Sequence, residues 1–479
     1  MATQIAKNTT WLSGSLVLQK ILSFAYFWFI SNHFYPGAIG KYVFALSFTT
    51  FFSIFVDLGL SVVLTREGAK SNEQANKYLR SIIGLKLILA VVATIIAILV
   101  INITGKELLT RRLVYLALIV MLLDSFTFTF YAIFRSRHNL RYESIGSVIF
   151  QVINFSLGAY LALATNSIRY LLFALITAST FNFIFSFILL KKKLNFSLKP
   201  NLSKEVISYF IHLLPAFALT GIFVKIYNTS DSILLSFLAT DASVGFFAIP
   251  AKVISAIQAV IAGSFAAVIY PAFSHAFVKS KQTLTHMLRD SIRYLMILSF
   301  PIGFGLAILA PEIISQIWPE YTLGIATFTI MSLAIPFIFL AFVTGSLLNA
   351  CDRQKNVTIN RGFITALAVL INLILIPRLQ HLGAGITFLI VNMILLYLDF
   401  RAADKVVKIK SLKLQALTVK VFLSTAVMSL LIYYLRLVLP LFFVVANGAI
   451  IYFVLIYALK GITRHDINEL KLIFKKANV

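Results

Sequence analysis

Apolar segments of about twenty residues or more recur along the whole sequence, which is 479 residues long. A helix needs roughly 20 apolar residues to cross the ~30 Å hydrocarbon core of a bilayer. The sequence therefore predicts an all-α, polytopic membrane protein with about fourteen transmembrane helices. Merging or discarding the weak segments near Leu108 or Pro377 would lower that number to twelve. The fourteen predicted segments are 11–31, 42–63, 81–103, 113–134, 144–164, 170–190, 208–238, 244–272, 292–311, 323–348, 358–377, 383–400, 416–438 and 441–459.

Charged residues are sparse and unevenly distributed. They make up 12% of the chain against 60% hydrophobic residues, whereas soluble domains are roughly 25% charged. The net charge of +25 is divided among short clusters between the apolar segments, without the single solvated face that nucleic-acid binding requires. The sequence therefore predicts that the protein lies in a lipid bilayer and binds no nucleic acid. With both termini cytoplasmic, 31 Lys and Arg residues lie on the cytoplasmic side and 7 on the other, which is the bias typical of membrane proteins.

The stretch 214–255 resembles the beginning of the chain when it is moved back by 205 positions. A lysine at the same place in both copies is informative because lysine is rare in transmembrane helices. We interpret the match as an internal repeat in which two helical bundles face a shared polar cavity, a recurrent design among transporters. The four identities are Lys225 with Lys20, Ile226 with Ile21, Ser236 with Ser31, and Gly245 with Gly40.

Three lysines lie deep in the predicted segments. Lys20 is about nine residues, or ~13 Å, from the start of its segment, which exceeds the roughly 6 Å over which a lysine side chain can reach back to the interface. Lys225 occupies the repeated position, and Lys252 is similarly deep. We expect these three side chains to face a cavity, because an unpaired cation in lipid is costly. Lys86 is nearer the cytoplasmic end, so it could line the cavity or reach the interface.

Three carboxylates also lie within the predicted segments, and all three are candidates for coupling or gating: Asp57, Asp124 and Asp231. One interpretation is that each pairs with a neighbouring lysine and only holds helices together. The alternative is that Asp124 or Asp231 binds a coupling ion, H⁺ or Na⁺, because burial favours proton uptake by a carboxylate. No other cofactor is expected.

The residue patterns of common enzymes are missing from the sequence. It contains no P-loop, no HExxH pair and no GxSxG motif, and Cys351 is its single cysteine, which leaves no multi-cysteine metal site. The longest loops, 64–80, 191–207 and 401–415, have fewer than about 20 residues. A membrane polysaccharide polymerase or ligase, the alternative from a different class, would need a larger external loop. We therefore expect a protein that is not an enzyme and holds no metal.

Seven short motifs are spread along nearly the whole chain, in an order and spacing that one protein family shares. Two occur near its start, GAIGKYVFALSF and FVDLGLSVVLTREGAK. Two occur in the repeated stretch, LLPAFALTGIF and YNTSDSILLSFLATDASVGFFAIPAKV, and three occur later, NACDRQKN, INLILIP and GAGI. Together they resemble the Wzx-type oligosaccharide flippases, the polysaccharide transport branch of the multidrug/oligosaccharidyl-lipid/polysaccharide exporter superfamily.

The resemblance implies two pseudo-symmetric six-helix lobes, at 1–205 and 206–402, around a V-shaped central cavity. Two further helices and a basic cytoplasmic tail would follow at 403–479. It also implies that polyprenyl-pyrophosphate-linked oligosaccharide repeat units cross the bacterial inner membrane by alternating access, for an O-antigen, capsule or exopolysaccharide pathway. A polymerase or chain-length regulator of that pathway is the implied partner. The cationic cavity that binds the pyrophosphate would be lined by Lys20, Lys225, Lys252 and Lys86.

Two other cargoes fit the same scaffold. One is a peptidoglycan lipid precursor, and the other is a drug that a cation-coupled multidrug antiporter would export. A cavity for cationic drugs should be anionic, so the deep lysines argue against the exporter. The lining is nevertheless lysine where an arginine-rich one is expected, and lysine supplies a point charge without the bidentate fork of a guanidinium group.

Overall fold

The computed structural model describes residues 2–462, and between them it contains helices and no strand. The end of the predicted basic tail, from residue 463 onward, lies outside this range. The helices are α1 (Ala2–His33), α2 (Pro36–Asp57), α3 (Leu60–Lys70), α4 (Asn72–Ile103), α5 (Leu108–Ser136), α6 (Arg141–Thr165), α7 (Arg169–Leu194), α8 (Lys204–Leu238), α9 (Asp241–Ile257), α10 (Ser264–Lys279), α11 (Lys281–Ile308), α12 (Ala310–Ile317), α13 (Ile325–Ser332), α14 (Ile335–Ala350), α15 (Gln354–Ala403), α16 (Gln415–Leu435) and α17 (Leu441–Ala458).

Each of the fourteen predicted segments falls on one or more of these helices, which confirms the all-α membrane fold. In the described part of the chain, ten helices are long and apolar enough to cross a membrane, or twelve if two bent helix pairs each count as one crossing. Helix α15 contains two predicted segments. Its 50 residues would extend about 75 Å if straight, and the backbone turns at Gln380, where φ is 50° and ψ is −131°. The two predicted segments of α15 thus lie on either side of this turn.

Contacts between Cα atoms divide the chain into two compact units. Unit 1 comprises Met1–Val260 and Arg361–Ala384, and unit 2 comprises Ile261–Asn360 and Gly385–Val479. The lobes at 1–205 and 206–402 were inferred from the resemblance and the internal repeat rather than from contact density, and they remain a prediction.

Helix α2 forms the centre of unit 1, where it packs against α4, α5, α8 and α9. It begins at Pro36, whose fixed φ suits the first helical turn. Phe44, Phe48 and Phe52 follow one another along its face, with successive ring centroids 5.6 and 4.9 Å apart. The helix ends at Asp57 because Leu58 and Gly59 both adopt left-handed conformations, with φ of 45° and 83°. After that turn, α3 packs against α4, α5 and α8.

The contact between α2 and α9 is reciprocal at two glycines. A Cβ atom added to Gly40 would lie 1.6 Å from the carbonyl oxygen of Asp241, and one added to Gly245 would lie 2.2 Å from that of Pro36. Gly40 and Gly245 are 205 positions apart, and so are Pro36 and Asp241. Equivalent residues of the repeat therefore face each other across this contact, as local two-fold symmetry requires.

Because each glycine lies against backbone that no rotamer change can move, Gly40→Ala should destabilise the protein by about 1–3 kcal/mol or more. Gly221→Ala is the matched control, since nothing lies within 4 Å of a Cβ atom there and alanine is the better helix former. Thermal unfolding in detergent would measure both. Equal unfolding midpoints for the two variants would contradict the close contact.

Candidate functional site

A cavity of about 430 Å³ with both apolar and polar lining residues lies inside unit 1. Helix α2 contributes its polar face, since Thr49, Ser53 and Asp57 are spaced four residues apart and therefore project to one side. Helices α5, α7 and α8 form the other walls. The lining residues are Leu46, Thr49, Thr50, Ser53, Asp57, Val120, Met121, Asp124, Ser125, Phe128, Leu175 and Lys225.

Lys225 is the lysine of the cavity wall. Its side chain extends from α8, is half-buried, and donates a hydrogen bond from Nζ to Ser53 Oγ at 3.2 Å. It also lies within electrostatic range of Asp57. A single long hydrogen bond to a hydroxyl leaves most of the hydrogen-bonding capacity of an ammonium group unused. Lys225 is therefore placed where a ligand in the cavity can reach it.

Lys86 has a different environment, because it is fully buried. Its Nζ donates to Asp57 Oδ1 at 2.7 Å, to Thr129 Oγ1 at 2.7 Å and to the Ser125 carbonyl oxygen at 2.9 Å. All three ammonium protons thus have an acceptor. The side chain joins α4 to α2 and α5, and it is not among the cavity-lining residues. Sequence reasoning allowed a lining or an interfacial position, and the structure shows neither.

Asp57 is the carboxylate around which these groups assemble. Besides Lys86, it accepts a hydrogen bond from Ser61 Oγ at 2.5 Å, which the turn between α2 and α3 brings into reach. Asp57 also forms part of the cavity wall, as does Asp124 from α5, whose side chain is exposed to the cavity. With both acids ionised, the two carboxylates balance Lys86 and Lys225. The lining of this cavity thus contains two carboxylates and one of the four lysines that the sequence predicted for a cationic cavity.

Lys252 and Lys20 form a second group, on α9 and α1. Lys252 is half-buried, its Nζ donates to Ser23 Oγ at 3.0 Å, and it lies 5.5 Å from the centroid of the Phe27 ring, a distance that allows a cation–π interaction. Lys20 is exposed, three residues before Ser23, and within electrostatic range of Lys252. The four predicted lysines thus occupy two places.

Asp231 is separate from both groups of lysines. It is buried on α8, and its Oδ1 accepts a hydrogen bond from Asn372 Nδ2 on α15 at 2.5 Å. It does not line the cavity of Lys225. The pairing of acids with neighbouring lysines therefore holds for Asp57 and does not describe Asp231.

Sequence reasoning missed the hydroxyl groups that support these charges. Ser53, Ser61 and Thr129 bind Lys225, Asp57 and Lys86, respectively. The spacing of Thr49, Ser53 and Asp57 was a detectable signal, whereas the contacts of Thr129 depend on how α5 packs. Within residues 2–462, no three His, Cys, Asp or Glu side chains are grouped closely enough to hold a metal ion.

Removing one partner of the buried pair should be costly. Lys86→Met leaves Asp57 without its closest counter-charge and should lower stability by roughly 3–5 kcal/mol, whereas Lys86→Met combined with Asp57→Leu should recover most of that loss. Lys252→Met, which removes one hydrogen bond from a half-buried lysine, should lose about 1 kcal/mol. Denaturant unfolding in detergent micelles would compare them. Similar losses for Lys86→Met and Lys252→Met would disprove the structural role of Lys86.

Comparison with known proteins places this geometry in a family. A sequence profile of the family described as "Polysaccharide biosynthesis protein" matches residues 5–277, which is more than half of the chain. A sequence search of curated proteins gave no significant match.

Solved structures share the fold at low identity. A lipid II flippase, MurJ, in an inward closed conformation, aligns with a TM-score of 0.77 and 15% identity over 95% of this chain and 99% of that one. An inward-facing multidrug resistance transporter of the MATE family, in the MOP superfamily, aligns with a TM-score of 0.69 and 16% identity over 83% of this chain and 96% of that one. A MOP superfamily transporter from Pyrococcus furiosus, described as having a binding pocket of reverse polarity, aligns with a TM-score of 0.58 and 15% identity over 85% of this chain and 97% of that one.

At these identities the structural likeness establishes the fold, and the profile establishes the family. The chain has the fold of the MOP superfamily transporters, and it belongs to the polysaccharide biosynthesis protein family.

Proposed function

We propose that this chain is a flippase that moves polyprenyl-pyrophosphate-linked oligosaccharide repeat units across the bacterial cytoplasmic membrane, with both of its termini on the cytoplasmic side. Its cargo would serve an O-antigen, capsule or exopolysaccharide pathway, where a polymerase or chain-length regulator would take it next. The family and the fold shared with a lipid flippase support this proposal. The observation that carries it is that Lys225 lines a cavity and that Lys225 and Lys252 each donate a hydrogen bond to a neutral serine hydroxyl.

The electrostatic problem in such transport is the diphosphate. Moving a multiply charged anion into a medium of low dielectric constant is very costly unless counter-charges replace its water. Lys225 lines a cavity and Lys252 is half-buried, and each donates one hydrogen bond to a serine hydroxyl. Exchanging a neutral hydroxyl for a phosphate oxygen gives each lysine a stronger, charge-assisted hydrogen bond. Lys20, beside Lys252, would add a third positive charge.

Lys86 has a supporting role in this mechanism. It is already saturated by three acceptors, so binding a phosphate would require breaking its bond to Asp57. We propose that it holds Asp57 in the cavity wall, where Asp57 limits the net positive charge around Lys225. The lysines then bind the diphosphate strongly enough to admit it and weakly enough to release it after alternating access to the two sides.

The carboxylates are the groups that could couple transport to an ion gradient. Asp124 is exposed to the cavity, where protonation or Na⁺ binding would leave the positive charge of Lys225 less compensated. Asp231, with an amide partner instead of a cation, is the second candidate. Asp57 is the weakest candidate, because it already accepts hydrogen bonds from Lys86 and Ser61. In an antiport cycle the ion would move opposite to the lipid-linked sugar.

A peptidoglycan lipid precursor is the second candidate cargo, and the TM-score of 0.77 with the lipid II flippase favours it. Export of cationic drugs has less support, because the two cavity carboxylates are balanced by Lys86 and Lys225. Measuring the transport of each lipid by the purified protein in reconstituted vesicles would distinguish the two cargoes.

Substitutions of the accessible lysines should separate transport from folding. We expect Lys225→Ala to reduce flipping of a fluorescent lipid-linked oligosaccharide in reconstituted vesicles by ~10-fold or more, since a charge-assisted hydrogen bond contributes roughly 1.5–3 kcal/mol. Lys225→Arg should retain most of the activity. The matched control is Lys192→Ala, an exposed lysine at the end of α7, which should behave as the native protein.

The double variant Lys20→Ala/Lys225→Ala provides the decisive result. Its production and unfolding midpoint should match those of the native protein, and its transport should be lost. Normal surface polysaccharide in cells that carry only this variant would refute the proposed function.

A further inference from the structure

A second polar cavity lies in unit 2, at the end of the helices whose loops the charge bias assigns to the cytoplasm. It has a volume of about 240 Å³ and is formed where α10 passes into α11, where α14 passes into α15, and just after α15. Its walls include Phe277, Lys281, Leu284, Cys351, Arg353 and Lys405. None of these residues belongs to the site described above.

Three positive side chains converge on this cavity from three separate segments. Lys281 begins α11, Arg353 lies in the short turn before α15, and Lys405 follows α15. Within the described residues, none of the three forms an ion pair, and no carboxylate is among the lining residues. The neighbouring Asp404 is engaged elsewhere, since it accepts hydrogen bonds from Lys408 Nζ at 3.0 Å and from the Ile409 amide at 2.9 Å.

Local backbone structure places the three residues, whose side chains are exposed, beside the cavity. Asp352 adopts a left-handed conformation, with φ of 57°, which allows the chain to turn between α14 and α15 and brings Arg353 to the cavity. Lys281 is the first residue of a helix of 28 residues, so the positive end of the helix dipole adds to its charge. Like charges held together in this way repel one another unless an anion lies between them.

The remaining walls are apolar and uncharged. Leu284 and Cys351 are buried, and the Phe277 ring is exposed beside them. Burial, together with the negative charge of the adjacent Asp352, raises the pKa of the Cys351 thiol to about 11, so near neutral pH the thiol is protonated and adds no negative charge. Exposed cations beside a buried apolar surface suit an anion that is attached to an apolar group. Basic pockets between helices on the cytoplasmic side can bind anionic headgroups.

We propose that this cavity is a binding site for a phosphate-bearing anion, held by Lys281, Arg353 and Lys405. The same chemistry could be supplied by the phosphodiester headgroup of an anionic lipid or by soluble phosphate. Occupancy would offset part of the positive charge and link the α10–α11 and α14–α15 turns to the segment after α15. The site does not depend on the proposed transport activity, because it can be tested in lipid that contains no oligosaccharide.

The test uses the purified full-length protein in nanodiscs. Binding of phosphatidylglycerol would be measured against a phosphatidylcholine background, and inorganic phosphate would be titrated in a separate arm. The variant is Lys281→Gln/Arg353→Gln/Lys405→Gln. The matched control is Lys191→Gln/Lys192→Gln/Lys193→Gln, which removes the same charge from three exposed lysines at the end of α7.

We expect the cavity variant to bind the anion at least ~10-fold more weakly, since each basic side chain near an anionic headgroup contributes a factor of about five. The control should change by less than about twofold. Saturable phosphatidylglycerol binding that is lost in the cavity variant identifies a lipid headgroup site, and loss of phosphate binding alone identifies a soluble anion. Equal losses in the two triple variants, or no saturable binding of either anion, would overturn the proposal.

Unfolding in phosphatidylcholine alone shows whether the cavity variant is folded. If it is not, the single exposed substitution Lys405→Glu replaces it, with Lys192→Glu as its control. Weaker anion binding in Lys405→Glu than in Lys192→Glu supports the site, and equal binding refutes it.

Discussion

The ion pair of Lys86 and Asp57 determines how the polar interior of unit 1 is built. A lysine that is fully buried in a membrane protein needs an acceptor for every proton, and Lys86 obtains them from Asp57, Thr129 and the Ser125 carbonyl oxygen. These acceptors lie on α2 and α5, while Lys86 lies on α4. Three helices therefore have to meet at one point. The carboxylate fixed there becomes part of a cavity wall that Lys225 and Asp124 complete.

The four deep lysines differ in how much of their hydrogen-bonding capacity remains available. Lys86 is saturated, Lys225 and Lys252 each donate to one serine hydroxyl, and Lys20 is exposed. This difference in hydrogen bonding distinguishes Lys86, which has a structural role, from the lysines that can exchange a hydroxyl acceptor for an anion. It supports the assignment of Lys225 and Lys252 to the proposed substrate and of Lys86 to the scaffold.

The internal repeat has a physical consequence at the contact of α2 and α9. Gly40 and Gly245 each lie against the carbonyl group of the residue that begins the other helix, so the two helices approach as closely as their backbones permit. The same offset relates Lys20 to Lys225, yet these lysines have different surroundings. The predicted repeat thus includes one backbone contact that tolerates no side chain, and it also relates lysines with different surroundings.

The sequence by itself determined the all-α membrane fold and the helical segments. Apolar length and the rarity of charge at depth are local properties of the chain, and they do not depend on which helices become neighbours. It also singled out Lys20, Lys86, Lys225 and Lys252 as unusual. Only the tertiary structure decided their partners, because a partner from another helix, such as Thr129 for Lys86 or Ser53 for Lys225, is set by packing. For the same reason, the sequence predicted a cationic lining, whereas Lys225 shares this cavity with Asp57 and Asp124 and Lys86 pairs with Asp57 from outside the lining.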